Sequence, residues 1–288
     1  MFWNQLKTVL LLGGLSALFF WFGYWVGGTN GLTVAFAMSI LMNVFAYYFS
    51  DKMVLAMYGA LPLDRDEHPK IYEMVEELTA EAQIPMPKLW LIPTEMPNAF
   101  ATGRNPEHAS VAITHGIMQL LEDDELKGVI AHELGHVKNR DILIATIAAT
   151  IASAIGYLAQ MLQWAFIFGG SNRDDNERGG GWGMLVIAIL MPIAAMFIQM
   201  AISRSREYLA DEAGANFCHD PLSLASALEK ISYGSERMNM KPESTAQAAT
   251  SSLFIVNPFS AKGFLHLLST HPPMEERIKR LQDMATRM

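Results

Sequence analysis

The chain has 288 residues, 51% of them hydrophobic and only 17% charged, with a mean hydropathy of +0.19. Soluble domains carry about 25% charged residues, so intrinsic disorder is excluded and a wholly soluble globule is disfavoured. A net charge of −8 with no dense basic stretch excludes nucleic acid as a partner, and the single Cys218 excludes an intramolecular disulfide.

No charged residue stands between Lys7 and Asp51, a run of 43 positions. One unbroken helix of that length would be about 64 Å long, roughly twice a bilayer core of about 30 Å. Gly27-Gly28-Thr29-Asn30-Gly31 supplies a break, which predicts a transmembrane hairpin in residues 1–50 with spans near 8–27 and 32–50. Trp21, Tyr24 and Trp25 near one end, and Tyr47 and Tyr48 near the other, suit the interfaces. Ala35-Phe36-Ala37 has the small-x-small form of a leader cleavage site but lies inside the second run, so the segment reads as an anchor.

The polar segment 51–141 follows. Ile71, Met74, Val75 and Leu78 recur at helical spacing, predicting an amphipathic helix over 68–82 that Pro85 and Pro87 end. Strands are predicted at 88–92, 98–102 and 109–114, the last two separated by a turn at 103–106. A helix begins after Glu122, with Asp123 or Asp124 as its cap, and Leu126, Val129, Ile130 and Val137 run down it. Segment 142–202 holds two more apolar runs, near 142–168 and 184–202, each long enough to span, around a glycine-rich polar loop. Segment 203–288 is again polar, with helices expected at 204–217, 222–232 and 273–287 and a long loop over 234–262.

With four spans, Lys7, Lys52, Lys127, Lys138, Arg140, Arg204 and Arg206 fall on one side and Arg173 and Arg178 on the other. Positive charge marks the cytoplasmic side, so both termini and both polar segments are expected there, with the 169–183 loop periplasmic. Together the two polar segments are large enough for one domain with its own core. The expected fold class is mostly α, α+β: four transmembrane helices and a cytoplasmic helical domain carrying a small β-sheet.

Within the helix after Glu122 stands His132-Glu133-Leu134-Gly135-His136. Residues four apart share a helix face, so His132 and His136 can present two imidazoles to one metal while Glu133 reaches a metal-bound water. That set suits zinc hydrolysis, in which zinc lowers the water's pKa to about 7 and a carboxylate carries the proton to the leaving amine. A third protein ligand is needed, and no histidine follows His136 until His219. Glu207, in Arg206-Glu207-Tyr208-Leu209-Ala210-Asp211, is the candidate, with Asp211 four residues on to accept the other ring proton of a ligating histidine. Two apolar runs lie between the histidines and Glu207, so an even number of crossings returns both to the same membrane face.

These features together resemble the HtpX family of bacterial membrane-bound zinc endopeptidases, gluzincins related to the integral-membrane prenyl-protein (CaaX) protease. The resemblance extends over nearly the whole chain, including Pro97 to Gly103, Ser269-Thr270-His271-Pro272-Pro273 and Glu276-Arg277-Ile278. It implies a zincin-like fold, one zinc ion held by His132, His136 and Glu207, and Glu133 as general base. It also implies that Asn98, Ala99, Phe100 and Ala101 form an edge strand against which substrate backbone pairs, a mode that needs little sequence recognition. The family's Thr-His-Pro segment implies His271 near the metal, stabilising the oxyanion; otherwise it is a loop histidine ahead of a helix. The partners implied are unfolded or damaged proteins, the lipid bilayer of the inner membrane, and a membrane ATP-dependent protease in the same stress-induced quality control. No phosphate-binding glycine loop is present, so either unfolding power comes from elsewhere or substrates arrive already loose. Two alternatives stand beside this reading: a prenyl-protein processing protease, and an inactive membrane scaffold that keeps zinc for stability.

Overall fold

The computed structural model describes residues 2–147, 151, 204–238, 255 and 272–288. The predicted spans near 142–168 and 184–202, the loop between them, and His271 lie wholly or largely outside these residues.

Helix α1 (Phe2–Met57) is interrupted at Gly28, whose φ of 56° and ψ of −135° are not helical. The two halves fold back on each other about this point. Asn43 Nδ2 donates to Ser16 Oγ at 2.8 Å, and the rings of Phe20 and Phe36 stack at 6.3 Å. Small residues Ala35, Ser39, Ala46 and Ser50 are buried on one side of the second half, while Val34, Phe36, Ile40, Leu41, Val44 and Phe45 face outward. Small residues inside and large apolar ones outside is the arrangement of a helix surrounded by lipid. Among the described residues, Gly28–Met57 is the one helix long and apolar enough to cross a membrane.

Four strands follow: β1 (Leu61–Pro62), β2 (Lys88–Ile92), β3 (Ala99–Gly103) and β4 (Ala109–Thr114), in spatial order β1-β2-β4-β3. β2 and β4 run parallel, while β3 is antiparallel to β4 with Ala101 opposite Val111. β3 is thus an outer strand. Side chains alternate between two apolar layers, as the period of two requires. Leu89, Ala99, Ala101, Val111 and Ile113 enter the main core, while Ile92, Phe100 and Ala112 pack on Val54 and Leu55 at the end of α1. The last turns of α1 therefore cover one face of the sheet.

The main core lies between the sheet's other face and helices α2 (Pro69–Ala82), α3 (His115–Leu120), α4 (Asp123–Lys138), α5 (Arg204–Cys218), α6 (Pro221–Met238) and α7 (Met274–Ala285). Residues 142–147, at the start of the third apolar run, are helical. The sequence does not predict β1 or α3; β1 is two residues long with a proline, and α3 has six residues, too short for either periodicity to show. The loop expected from Gly234 is corrected at its start, because α6 continues to Met238. A mid-helix glycine costs only about 1 kcal/mol, less than burial of Leu224, Leu228 and Ile231 along the same helix returns.

Candidate active site

α4 begins after Glu122 as expected, but its cap is Glu122 itself rather than Asp123 or Asp124. Glu125 Oε2 accepts the Glu122 N–H at 2.9 Å and also holds Lys230 at 2.8 Å, tying the start of α4 to α6. Asp123 and Asp124 stand in the first turn, where negative charge favours the helix dipole. Eleven residues of α4 are buried, among them His132 and Glu133.

α5 crosses α4 at a seam of small residues. A Cβ on Gly214 would stand 2.7 Å from the His132 backbone nitrogen, and one on Gly135 would stand 3.0 Å from the Ala210 carbonyl oxygen. Only glycine admits so close an approach, and it delivers Glu207 to the histidine face. His132 Nε2 lies 3.8 Å from Glu207 Oε2, and His136 Nε2 lies 3.7 Å from Glu207 Oε1. One ligand atom from each of the three residues falls within 4.8 Å of the others.

The Nδ1 atoms face outward to two aspartates. Asp211 Oδ1 is 2.9 Å from His132 Nδ1, and Asp141 Oδ2 is 3.1 Å from His136 Nδ1. With the protons of both rings on Nδ1, both Nε2 lone pairs point to the shared space. Glu133, beside the histidine face, reaches β3, where the Ala101 N–H donates to its Oε2 at 2.7 Å. A second outward N–H of the strand, that of Ala99, is held at 2.9 Å by the Asn98 side chain, whose Oδ1 also accepts the Ile255 N–H at 3.1 Å. Asn98, Ala99, Phe100 and Ala101 are all buried.

Two residues of the site escape the sequence reading. Arg277 of α7 has no solvent exposure, and its Nε and Nη2 donate to the two oxygens of Asp211 at 2.8 and 2.6 Å. Its Nη1 stands 3.6 Å from Glu207 Oε2. A signal was available, since Arg277 falls on the stripe of Met274, Ile278 and Leu281, the side of α7 that meets the core. A charge on an apolar stripe is buried only with a partner. Asp141 is the other, hidden in the sequence as the acid that ends a polar segment.

Carboxylates of Glu133, Glu207, Asp211 and Asp141 outnumber the nearby cations, and the acidities follow. Burial, reinforced by Glu207, pushes the Glu133 carboxyl up to about 8. Burial alone would lower His136, but its bond to Asp141 and the charges of Glu207, Asp141 and Glu133 raise it to about 9. Burial dominates at His132 and lowers it despite Asp211. Asp211 resists its own burial because Arg277 holds it down, to about 2. Two buried groups with strongly raised pKa values mark an excess of negative charge that a dication would neutralise. The donors also fit zinc: ligands at about 2.0–2.2 Å from a tetrahedral ion stand roughly 3.3–3.6 Å apart, a few tenths of an ångström less than the 3.7 and 3.8 Å from Glu207 to the two histidines, in a cluster no wider than 4.8 Å.

Comparison with known proteins supplies the family. The model of peptidase family M48 matches residues 65–285. The chain belongs to peptidase family M48. A "Protease HtpX homolog" of Syntrophobacter fumaroxidans is 54% identical over 98% of this chain and 99% of its own length. One of Persephonella marina is 53% identical over 99% of both, and one of Thermococcus sibiricus is 48% identical over 98% and 97%. A crystal structure of S. mikatae Ste24p aligns with a TM-score of 0.49 at 18% identity, over 96% of this chain and 64% of that one, too loosely to argue from. As a member of the M48 family the chain is a metalloendopeptidase, and the His132, His136 and Glu207 cluster is where the metal fits.

Proposed function

We propose that this M48 peptidase is an integral membrane zinc endopeptidase that hydrolyses peptide bonds in unfolded or damaged proteins, membrane proteins included. The observation that carries the reading is the convergence of His132, His136 and Glu207 beside a buried Glu133 that is bonded to the edge strand. His132, His136 and Glu207 would hold one zinc ion, which when bound supplies a Lewis acid that acidifies water and polarises the scissile carbonyl.

The rest is done by the chain's own groups. Asp211 and Asp141 fix the histidine tautomers. Glu133 accepts the proton of the attacking water at a carboxylate oxygen and returns it to the leaving amine. Its raised pKa belongs to the metal-free site, and the charge of a bound dication would draw it down and leave a carboxylate able to accept the proton. When Glu133 leaves Ala101 for this work, the Ala101 N–H becomes free to pair with an extended substrate along β3. Such pairing reads backbone rather than side chains, which suits substrates defined by being unfolded. His271 is proposed to approach the developing oxyanion from the segment preceding α7.

Four spans, an inner-membrane location and a cytoplasmic site follow from the apolar runs and the excess of lysine and arginine near their ends. A role in envelope or heat-stress quality control, alongside a membrane ATP-dependent protease, suits an enzyme with no phosphate-binding loop of its own. The test is cleavage of an unfolded protein by detergent-purified enzyme that has been stripped of metal and then reloaded. Activity that returns with zinc supports the reading; equal activity in a chelator overturns it. A farnesylated peptide cut faster than its plain counterpart would favour prenyl-protein processing instead.

A further inference from the structure

One apolar face of α1 changes character over two turns. Val44, Phe45, Tyr48 and Phe49 are exposed, whereas Val54 and Leu55 are fully buried against the sheet. An apolar side chain left outside by the protein suits hydrocarbon, and one covered by the protein does not need it. Tyr48 and Leu55 are seven residues apart and share a helix face, so the change-over between them marks the level at which lipid tails give way to headgroups. Lys52, exposed, and the half-buried Asp51 stand at that level.

A second cation arrives there from a distant part of the chain. The Arg104 guanidinium lies 5.1 Å from the centre of the Tyr48 ring, and Lys52 Nζ lies 5.3 Å from that of Phe49. Tyr48 and Lys52 are four apart and share a helix face. Among the described residues neither cation makes an ion pair, although the chain carries a net charge of −8. The position of Arg104 is also fixed. Gly103 before it has a φ of 138°, and a Cβ there would stand 2.3 Å from the His108 carbonyl oxygen, so the turn admits no side chain. Asn105 and His108 brace the same turn with a bond of 2.7 Å.

Arg104 is one residue beyond β3, the strand whose Ala101 N–H holds Glu133. β3 is further pinned by Phe100 against Tyr58, with ring centres 5.8 Å apart, and by a 2.9 Å bond between the Thr102 and Thr146 hydroxyls. Thr146 opens the third apolar run. The strand is thus slung between two membrane elements, and its open end reaches the headgroup level through Arg104.

We infer that Lys52 and Arg104 together bind the phosphate of an anionic phospholipid, and that the bound headgroup steadies the far end of substrate strand β3. The inference rests on the reading above, in which α1 lies in a bilayer and β3 receives substrate. Aromatic rings beneath the cations and a lipid-facing helix beside them fit a phosphodiester with attached acyl chains better than a free anion. Each basic residue near a membrane surface contributes about a fivefold preference for anionic lipid.

The test uses the full chain in bilayer discs of phosphatidylcholine with a minority of phosphatidylglycerol, followed by detergent extraction and counting of retained lipid by native mass spectrometry. The wild type is expected to retain phosphatidylglycerol. Lys52→Gln and Arg104→Gln should each retain about fivefold less, and Lys70→Gln, whose lysine pairs with Asp123 far from α1, should match the wild type. Lys52→Arg with Arg104→Lys keeps both charges and should restore retention, which separates lost charge from lost fold. Phosphatidylglycerol should also lower the KM for an unfolded substrate without changing kcat. Undiminished retention in the double glutamine variant overturns the inference, as does full displacement of the lipid by inorganic phosphate. Retention that follows the variants in protein without zinc-dependent turnover supports the lipid site and overturns the protease reading instead.

Discussion

Replacing Arg277 with methionine removes the one cation bonded to Asp211 and leaves that carboxylate buried without it. Asp211 then has only the His132 imidazole on one oxygen, and the methionine occupies much of the vacated volume. Breaking a fully buried ion pair from one side costs about 3–5 kcal/mol, because the surviving charge is not rehydrated. Arg277 has no exposure and Asp211 almost none, so solvent screening does not reduce that figure. The loss should be largest in zinc-free protein and smaller with zinc, whose charge replaces part of what the arginine supplied. Zinc affinity should fall about 10–100-fold, since Asp211 is then no longer fixed as the partner that orients His132. Arg277→Lys, which keeps the charge but not the two-pronged fit, should fall between. Urea denaturation in detergent, with and without zinc, measures the first effect, and competition against a metal indicator measures the second. Arg277→Met protein within about 0.5 kcal/mol of wild type, with unaltered zinc affinity, would refute the reasoning.

Three further outcomes are expected. Gly214→Ala forces α4 and α5 apart at His132, which should cost about 1–3 kcal/mol and weaken zinc binding; an alanine variant with wild-type zinc affinity would contradict the crossing described for these helices. Zinc must displace the proton that keeps His136 charged below about pH 9, so affinity should drop about tenfold for each pH unit below that value from this group alone. A dissociation constant that is flat between about pH 6 and pH 8 would exclude the acidity assigned to His136. Asp141→Asn removes the charge that helps raise His136 and leaves at most a weaker, neutral acceptor, so the same dependence should move to lower pH, read from zinc titrations of the variant at several pH values.

What was legible in the sequence was what is local. The i, i+4 spacing of His132 and His136 places two imidazoles on one helix face, and the same spacing in Glu207 and Asp211 pairs a ligand candidate with a hydrogen-bond acceptor. Strands β2 and β4 could be bounded because β-branched and apolar residues run between turn signals there. The break at Gly28 was legible because no helix of that length fits a bilayer. Contacts made between segments were not. Arg277 meets Asp211 across 66 positions, and nothing around either residue names the other. The Ala101 N–H bonds Glu133 across 32 positions. The covering of Phe100 by Val54, Leu55 and Tyr58 joins the long apolar helix α1 to the sheet, which no periodicity in either segment announces.

In the proposed mechanism, zinc held at His132, His136 and Glu207 works with Glu133 to cut peptide bonds. It is tested most directly by comparing wild-type enzyme with Glu133→Gln, both purified metal-free in detergent and reloaded. Zinc stoichiometry is measured beside the cleavage rate of an unfolded protein. The glutamine variant should bind one zinc per chain as the wild type does and lose about 10²–10⁴ in rate. Cleavage by the variant at the wild-type rate, with zinc bound in both, would contradict the account.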